Sequence, residues 1–271
     1  MLPDTQVERW LAEDLGHHDV TNDVPGATTG RLVAKEDGVV AGLDAALAVF
    51  SYLDCDVTAT VDAGERIESG ESVLEVEGPA QAVLRGERVA VNIAGHASGI
   101  ATKTRRAVDA ARAVDPDVRV AGTRKTTPGL RGVEKRAVAA GGGDTHRLDL
   151  SHMVMVKDNH VAEMGLESAI EHFQERASFA TKIEVEVEEP DDAPRAAEAG
   201  ADVVLLDNMD PATTADAVEA LRAEHPDVLA EASGGIGVAD VPDYAATGVD
   251  VISLGSLTHS APSLDLSFRT G

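Results

Sequence analysis

Two rhythms of apolar and polar positions divide this chain. From residue 117 onward, short apolar runs alternate with amphipathic stretches. The runs VRVAG (118–122), HMVMV (152–156), TKIEVEV (181–187), DVVLLD (202–207), VLAEAS (228–233) and DVISLG (250–255) predict strands. Helical patterns near 133–140, 166–177, 191–199, 211–224 and 238–246 separate them. Strands of a parallel sheet are buried on both faces and read as near-continuous apolar runs. The pattern predicts a small or incomplete α/β barrel first, and a doubly wound sheet second.

The first half reads differently. Residues 4–15 predict a helix capped by Asp4, with Val7, Trp10 and Leu11 on one face. A polar loop, GHHDVTNDV, follows. His17 and His18 are adjacent and have no partner at ligand spacing, which argues against a metal there. Between 30 and 85, short strands (TGRLVAKEDGVVAG, CDVTATV) surround one helix (LDAALAVFSYL), with turns at Gly64, Gly70, Gly78 and Pro79. Glu87 to about Ala113 predicts one long helix. Its small residues Ala90, Ala94, Gly95, Ala97, Ser98 and Gly99 suit close packing, and Arg88 sits near its start. The fold class is therefore α/β: a small α+β domain over 1–103, then an α/β barrel over 104–271.

Composition narrows the function. Apolar residues make up 43 % of 271 positions but aromatics only 3 %, so Val, Leu, Ile and Ala must build the core. The 48 acidic residues exceed the 23 basic ones by 25, which excludes nucleic acid as a partner on charge. Scarce lysine and dispersed acid suggest a salt-loving cytoplasm, the alternative being an ordinary acidic enzyme. The single cysteine, Cys55, permits no internal disulfide, and Asp54 and Asp56 beside it disfavour a thiolate. No apolar run approaches the ~20 residues of a membrane span, so a cytoplasmic protein is expected.

Against this acidity, one stretch reverses sign. Residues 123–160 carry seven basic side chains (Arg124, Lys125, Arg131, Lys135, Arg136, Arg147, Lys157) and four acidic ones. Such an island reads as a pocket for a small polyanion. The carboxyl ends of the predicted strands, where parallel folds place their chemistry, are all polar. The first ends in Thr123-Arg124-Lys125. His146-Arg147 precede the second, which ends in Lys157. Glu184 and Glu186 lie on the third, and Asp207 ends the fourth. Ser233-Gly234-Gly235 and Ser253-Leu254-Gly255 end the last two. The glycine-rich ends read as a phosphate cup or as tight turns. Glu186, nearer its strand end than Glu184, and Asp207 read as ion-pair partners of the cations or as ligands for ribose hydroxyls or Mg²⁺. Two carboxylates do not neutralise four cations, so a negatively charged substrate is implied. His146 adds a donor or a proton carrier. Gly141–Gly143 stop a helix or admit a close backbone approach.

TRKTTPGLR (123–131), EKRAV (134–138), GGGDTHRLDLS (141–151), KDNH (157–160), IEVEV (183–187), LLDNM (205–209), EASGGI (231–236) and GVDVISLGSLTHSAPSLD (248–265) together resemble the quinolinate phosphoribosyltransferases. GERVAVN and SGIAT within 86–102 match too, so the resemblance spans residue 10 to the end. It implies an N-terminal α+β open-sandwich domain followed by an incomplete parallel α/β barrel. It leaves open whether the C-terminal tail packs on the first domain. It also implies a reaction: quinolinate and phosphoribosyl pyrophosphate give nicotinate mononucleotide, CO₂ and pyrophosphate, with Mg²⁺. By resemblance, Arg88, Arg124, His146, Arg147 and Lys157 surround the quinolinate carboxylates, with Lys125 and Thr123 beside them. Glu186 and Asp207 hold the ribose hydroxyls and Mg²⁺. Ser233, Gly234, Gly235, Ser253 and Gly255 hold phosphate. Lys125, Lys157, Glu186 and Asp207 take the catalytic roles. Arg88 is expected to come from the partner subunit of a homodimer or hexamer. One departure stands out: His96 occupies a position where many relatives have Arg. The rival readings are a Schiff-base barrel enzyme using Lys157, a paralogue acting on another ring acid, and an anion-binding module.

Overall fold

The computed structural model describes residues 2–271. The chain begins with α1 (Asp4–Leu15), β1 (Ala27–Ala34), β2 (Gly38–Val39), α2 (Leu43–Tyr52), β3 (Asp56–Ala59), β4 (Arg66–Ile67), β5 (Ser72–Pro79) and α3 (Ala80–Arg112). It continues through β6 (Arg119–Ala121), α4 (Arg131–Ala140), β7 (Val154–Val156), α5 (Asp158–Met164), α6 (Leu166–Gln174), β8 (Ile183–Val187) and α7 (Asp192–Glu198). Last come β9 (Val203–Asp207), α8 (Pro211–Glu224), β10 (Leu229–Ser233), α9 (Val241–Ala245), β11 (Val251–Ser253), α10 (Ser256–His259) and β12 (Leu266–Thr270). The chain divides into two compact units. The first takes residues up to Arg105, Pro128–Gly142 and Ser260–Gly271; the second takes Arg106–Thr127 and Gly143–His259. The helix α4 and the last strand thus belong with the first unit, although they lie beyond residue 103.

The first unit is built on a four-stranded antiparallel sheet in the order β12-β1-β5-β3. Its core joins Leu32, Leu74 and Val76 from the sheet, Phe50 from α2, and Val83, Ala90 and Ala94 from α3. The small residues of α3 do what their size allows. Ser98 is fully buried and accepts from the Ala41 amide at 3.0 Å. A Cβ on Gly99 would lie 1.9 Å from the Pro262 carbonyl oxygen, so only glycine lets that segment pass. The single thiol, Cys55, is buried, and burial followed by Asp54 and Asp56 raises its pKa.

The second unit carries a six-stranded parallel sheet in the order β6-β11-β10-β9-β8-β7. The first strand pairs with the last, and the ring stays open between β6 and β7. This is an incomplete barrel. At the gap only Asp144 runs alongside β6: its N–H donates to the Val120 carbonyl at 2.8 Å, and its own carbonyl accepts from Gly122 at 2.9 Å. In β8, Ile183, Val185 and Val187 point one way and are buried, while Glu184 and Glu186 share the opposite face.

Five elements differ from the sequence expectation. The first helix starts at Asp4, with Pro3 as the cap and no side-chain capping bond. The long helix starts at Ala80, because Pro79 ends β5 and leads directly into it. The helix after Gly235 starts only at Val241. Neither α5 nor β12 was expected.

Candidate active site

A cavity of about 530 Å³ opens within the second unit. The loop after β6 supplies Thr123, Arg124 and Lys125 to its wall. That loop is fixed by its own side chains: Lys125 donates its N–H to Thr123 Oγ1 at 3.1 Å, and Thr258 Oγ1 in α10 donates to the Lys125 carbonyl at 2.7 Å. Gly255 leaves space for the Lys125 side chain, since a Cβ there would approach Lys125 Cδ to 2.8 Å. His146 and Arg147 reach the cavity from the barrel gap, and Lys157, Glu186 and Asp207 from the ends of β7, β8 and β9. Ser233, Gly234 and Gly235 after β10, with Ser253 and Gly255 at β11, close the circuit. Thirteen of the fourteen residues expected at the site therefore line one cavity. The exception is Arg88, exposed on α3 in the first unit.

The side chains are preorganised by charge. Lys157 Nζ pairs with Glu186 Oε2. Asn208 Nδ2 donates to Asp207 Oδ2 at 2.6 Å, and the Asn208 N–H donates to the Ser233 carbonyl at 3.0 Å, tying β9 to β10 at their tips. Burial raises the Asp207 carboxyl above its ordinary value, and Lys157 and Lys125 oppose that. Arg147 is 7 % exposed. Burial, then the charge of Arg124, lowers its guanidinium pKa. Arg124 and Arg147 each keep a buried Nε with no hydrogen-bond partner, and such donors are costly unless a ligand meets them.

The cations are opposed by four carboxylates, not two. Glu231 lines the cavity from β10, and fully buried Glu184 lies on β8 beside His146. The signal was present, because each lies in an apolar strand two residues before a rim residue. Met155, Leu205, Ile236, Ser256 and His259 also line the cavity. Met155 faces Arg147, whose Nη2 lies 3.3 Å from its sulfur. Nothing in the sequence singled out His259. His96, the departure from its relatives, sits on α3 in the first unit with Nε2 2.9 Å from Oε1 of the fully buried Glu134.

Residues 19–98 match the model of the quinolinate phosphoribosyl transferase N-terminal domain, and residues 100–269 that of its C-terminal domain. The chain is 45 % identical over 270 residues to a probable nicotinate-nucleotide pyrophosphorylase [carboxylating] of Methanothermobacter thermautotrophicus, covering 97 % of both chains. It is 44 % identical over 266 residues to the human nicotinate-nucleotide pyrophosphorylase [carboxylating], covering 97 % of this chain and 90 % of that one. The crystal structure of NadC from Streptococcus pyogenes superposes with a TM-score of 0.91 at 38 % identity, over 99 % of this chain and 96 % of that one. Similarity of this extent, across both domains, makes the chain a member of the quinolinate phosphoribosyltransferase family.

Proposed function

We propose that this cavity transfers a phosphoribosyl group from phosphoribosyl pyrophosphate to quinolinate, with loss of one carboxylate as CO₂. The observation that carries the reading is the paired disposition of the walls. Arg124, Lys125, Arg147 and Lys157 gather on the side of β6 and β7, with two unmet guanidinium donors among them. Glu186 and Asp207 follow, then the glycine-rich ends of β10 and β11. An aromatic diacid suits the first group, and a sugar phosphate the second.

In this reading the pyridine nitrogen forms a bond to the anomeric carbon as the bond to pyrophosphate breaks. Asp207 and Glu186 stabilise the positive charge that develops on the sugar. The ring nitrogen, now cationic, accepts electron density as the adjacent carbon releases CO₂, and a proton then replaces the lost carboxylate. Lys125 and Lys157 are the nearby proton carriers. Catalysis rests on positioning and charge rather than on a protein nucleophile. Glu186 and Asp207 offer hard oxygen donors but do not by themselves form a closed cage, which fits a Mg²⁺ held largely by the donor's phosphates and water. When bound, that ion would neutralise the leaving pyrophosphate.

The ion pair between Lys157 and Glu186 argues against the Schiff-base alternative, which needs a neutral amine. Arg88, exposed on α3, is proposed to complete the quinolinate site of a second subunit in a homodimer or larger homo-oligomer. No helix of the described residues is long and apolar enough to cross a membrane, which supports a cytoplasmic setting. The deciding experiment supplies quinolinate, donor and Mg²⁺ to purified protein and follows CO₂ and nicotinate mononucleotide together. Tight quinolinate binding without turnover would leave only an anion-binding module.

A further inference from the structure

Below the cavity rim, the barrel interior holds a cluster to which the reaction above assigns no task. Glu184 and Glu231 are 0 % and 1 % exposed. Glu231 Oε2 lies 3.0 Å from His146 Nε2, and Glu184 Oε1 lies 3.3 Å from the same nitrogen. Both oxygens of Glu184, and Oε1 of Glu231, have no hydrogen-bond partner in this interior. Two buried carboxylates so poor in donors stay charged only beside a positive charge.

The chain spends conformational energy to put His146 there. Its φ is +52°, a left-handed conformation that is strained for a non-glycine residue. The Asp144 side chain compensates by accepting from the His146 N–H at 2.7 Å, while the Asp144 backbone is anchored to β6. The segment that fills the gap between β6 and β7 thus delivers one imidazole to two anions.

We propose that Glu231 and Glu184 are positioning residues that clamp His146 from below and hold it as a permanent imidazolium facing the cavity. The site then keeps a fixed cation for a substrate carboxylate, where an ordinary histidine would lose its charge near neutrality. Its use in quinolinate binding rests on the function proposed above; the clamp itself does not. Burial alone would lower the His146 pKa, but the contacts with Glu184 and Glu231 outweigh it and lift the ring from 6.5 to about 10. The other charges around the cavity divide between Glu186 and Asp207 on one side, and Arg124, Lys125, Arg147 and Lys157 on the other. One imidazole nitrogen and two carboxylates are also a donor set for a divalent cation, and the experiment separates the two.

Histidine-labelled, ligand-free protein is titrated by NMR. One of the nine histidines should stay protonated beyond about pH 9. Its signal should disappear in His146→Gln and titrate closer to 6.5 in Glu231→Gln. Glu184→Gln gives the same readout if the first clamp variant does not fold. A His146 ring that titrates near 6.5 in the parent protein would overturn the proposal. So would an equivalent of Zn²⁺ or Mn²⁺ retained through gel filtration, with EDTA shifting the ring signal. In kinetics, the KM for quinolinate in Glu231→Gln should climb roughly tenfold between about pH 6 and 9, with kcat changing less. His146→Gln should have a high, pH-independent KM, and the double variant should be no worse. A pH dependence surviving in the double variant would count against the clamp. Because the NMR arm needs no substrate, absence of quinolinate turnover would defeat the proposed function while leaving the clamp testable.

Discussion

Gly234 and Gly235 are neighbours after β10, yet an added methyl should affect them very differently. Both have positive φ, +95° and +66°, so alanine at either costs about 1 kcal/mol in backbone conformation. At Gly235 a Cβ would meet nothing within 4 Å, and the cost ends there. At Gly234 it would lie 2.4 Å from Asn208 Oδ1, 2.5 Å from the Asn208 nitrogen and 2.8 Å from its Cα. Two of these are backbone atoms and cannot swing away. Asn208 is itself left-handed, with φ +57°, and its two hydrogen bonds join Ser233 to Asp207. Relieving the clash means moving the tip of β9 and losing those bonds, at about 1 kcal/mol each, plus about 1–3 kcal/mol of overpacking strain. Gly234→Ala should therefore cost about 4–6 kcal/mol in total, against about 1 kcal/mol for Gly235→Ala. Urea unfolding of the two variants beside the parent protein measures this directly, provided the slopes agree. Because Asp207 moves with Asn208, Gly234→Ala should also raise the KM for the phosphoribosyl donor more than that for quinolinate. Equal destabilisation of the two variants, or a loss confined to quinolinate, would refute the reasoning.

Arg147→Ala should weaken quinolinate binding by roughly 2–4 kcal/mol in calorimetry, since it strips a buried charged donor. Lys157→Ala should cost less, because Lys157 is 42 % exposed and already spends its charge on Glu186; the reverse order would count against the carboxylate assignment. Folding stability should fall as pH rises from 6.5 towards 10. The folded state holds the His146 proton more tightly than the unfolded one, so the contribution is complete below 6.5 and lost through the folded value of about 10. Glu184, raised by burial, acts in the same direction; unfolding midpoints that rise between about pH 6 and 9 would contradict this. Phe268→Ala should cost about 2–3 kcal/mol by chemical denaturation, since its ring stacks on Phe50 at 5.7 Å between centroids. An unchanged midpoint would show that β12 adds little to the first unit.

The barrel was legible because parallel strands announce themselves locally. IEVEV and VVLLD carry their burial in their composition, and their carboxyl ends carry the chemistry. What escaped notice depends on partners far away in sequence. LSFRT becomes a strand only by pairing with β1, more than two hundred residues upstream. Ala80 could not be read as a helix start while Pro79 read as a turn, although proline at a helix entrance is common. Glu231 was hidden inside an apparently ordinary strand, VLAEAS, and its role appears only once His146 arrives from another part of the ring. The charge balance differs for the same reason: Glu184 and Glu231 are buried one layer below the rim residues.

The sheet of the first unit also fixes an order of assembly during synthesis. A ribosome adds roughly 5–20 residues each second. Residues 266–270 therefore emerge on the order of ten seconds or more after β1, which needs them along one edge. Through that interval the edge at Gly30–Ala34 lacks its native neighbour, and exposed strand edges invite foreign pairing. The ring strands, by contrast, can zip together in order of synthesis once β6 has its place, β11 sealing the last seam before β12 is made. The half of the molecule translated first is the half that matures last, and its vulnerability to misassembly lies in that wait.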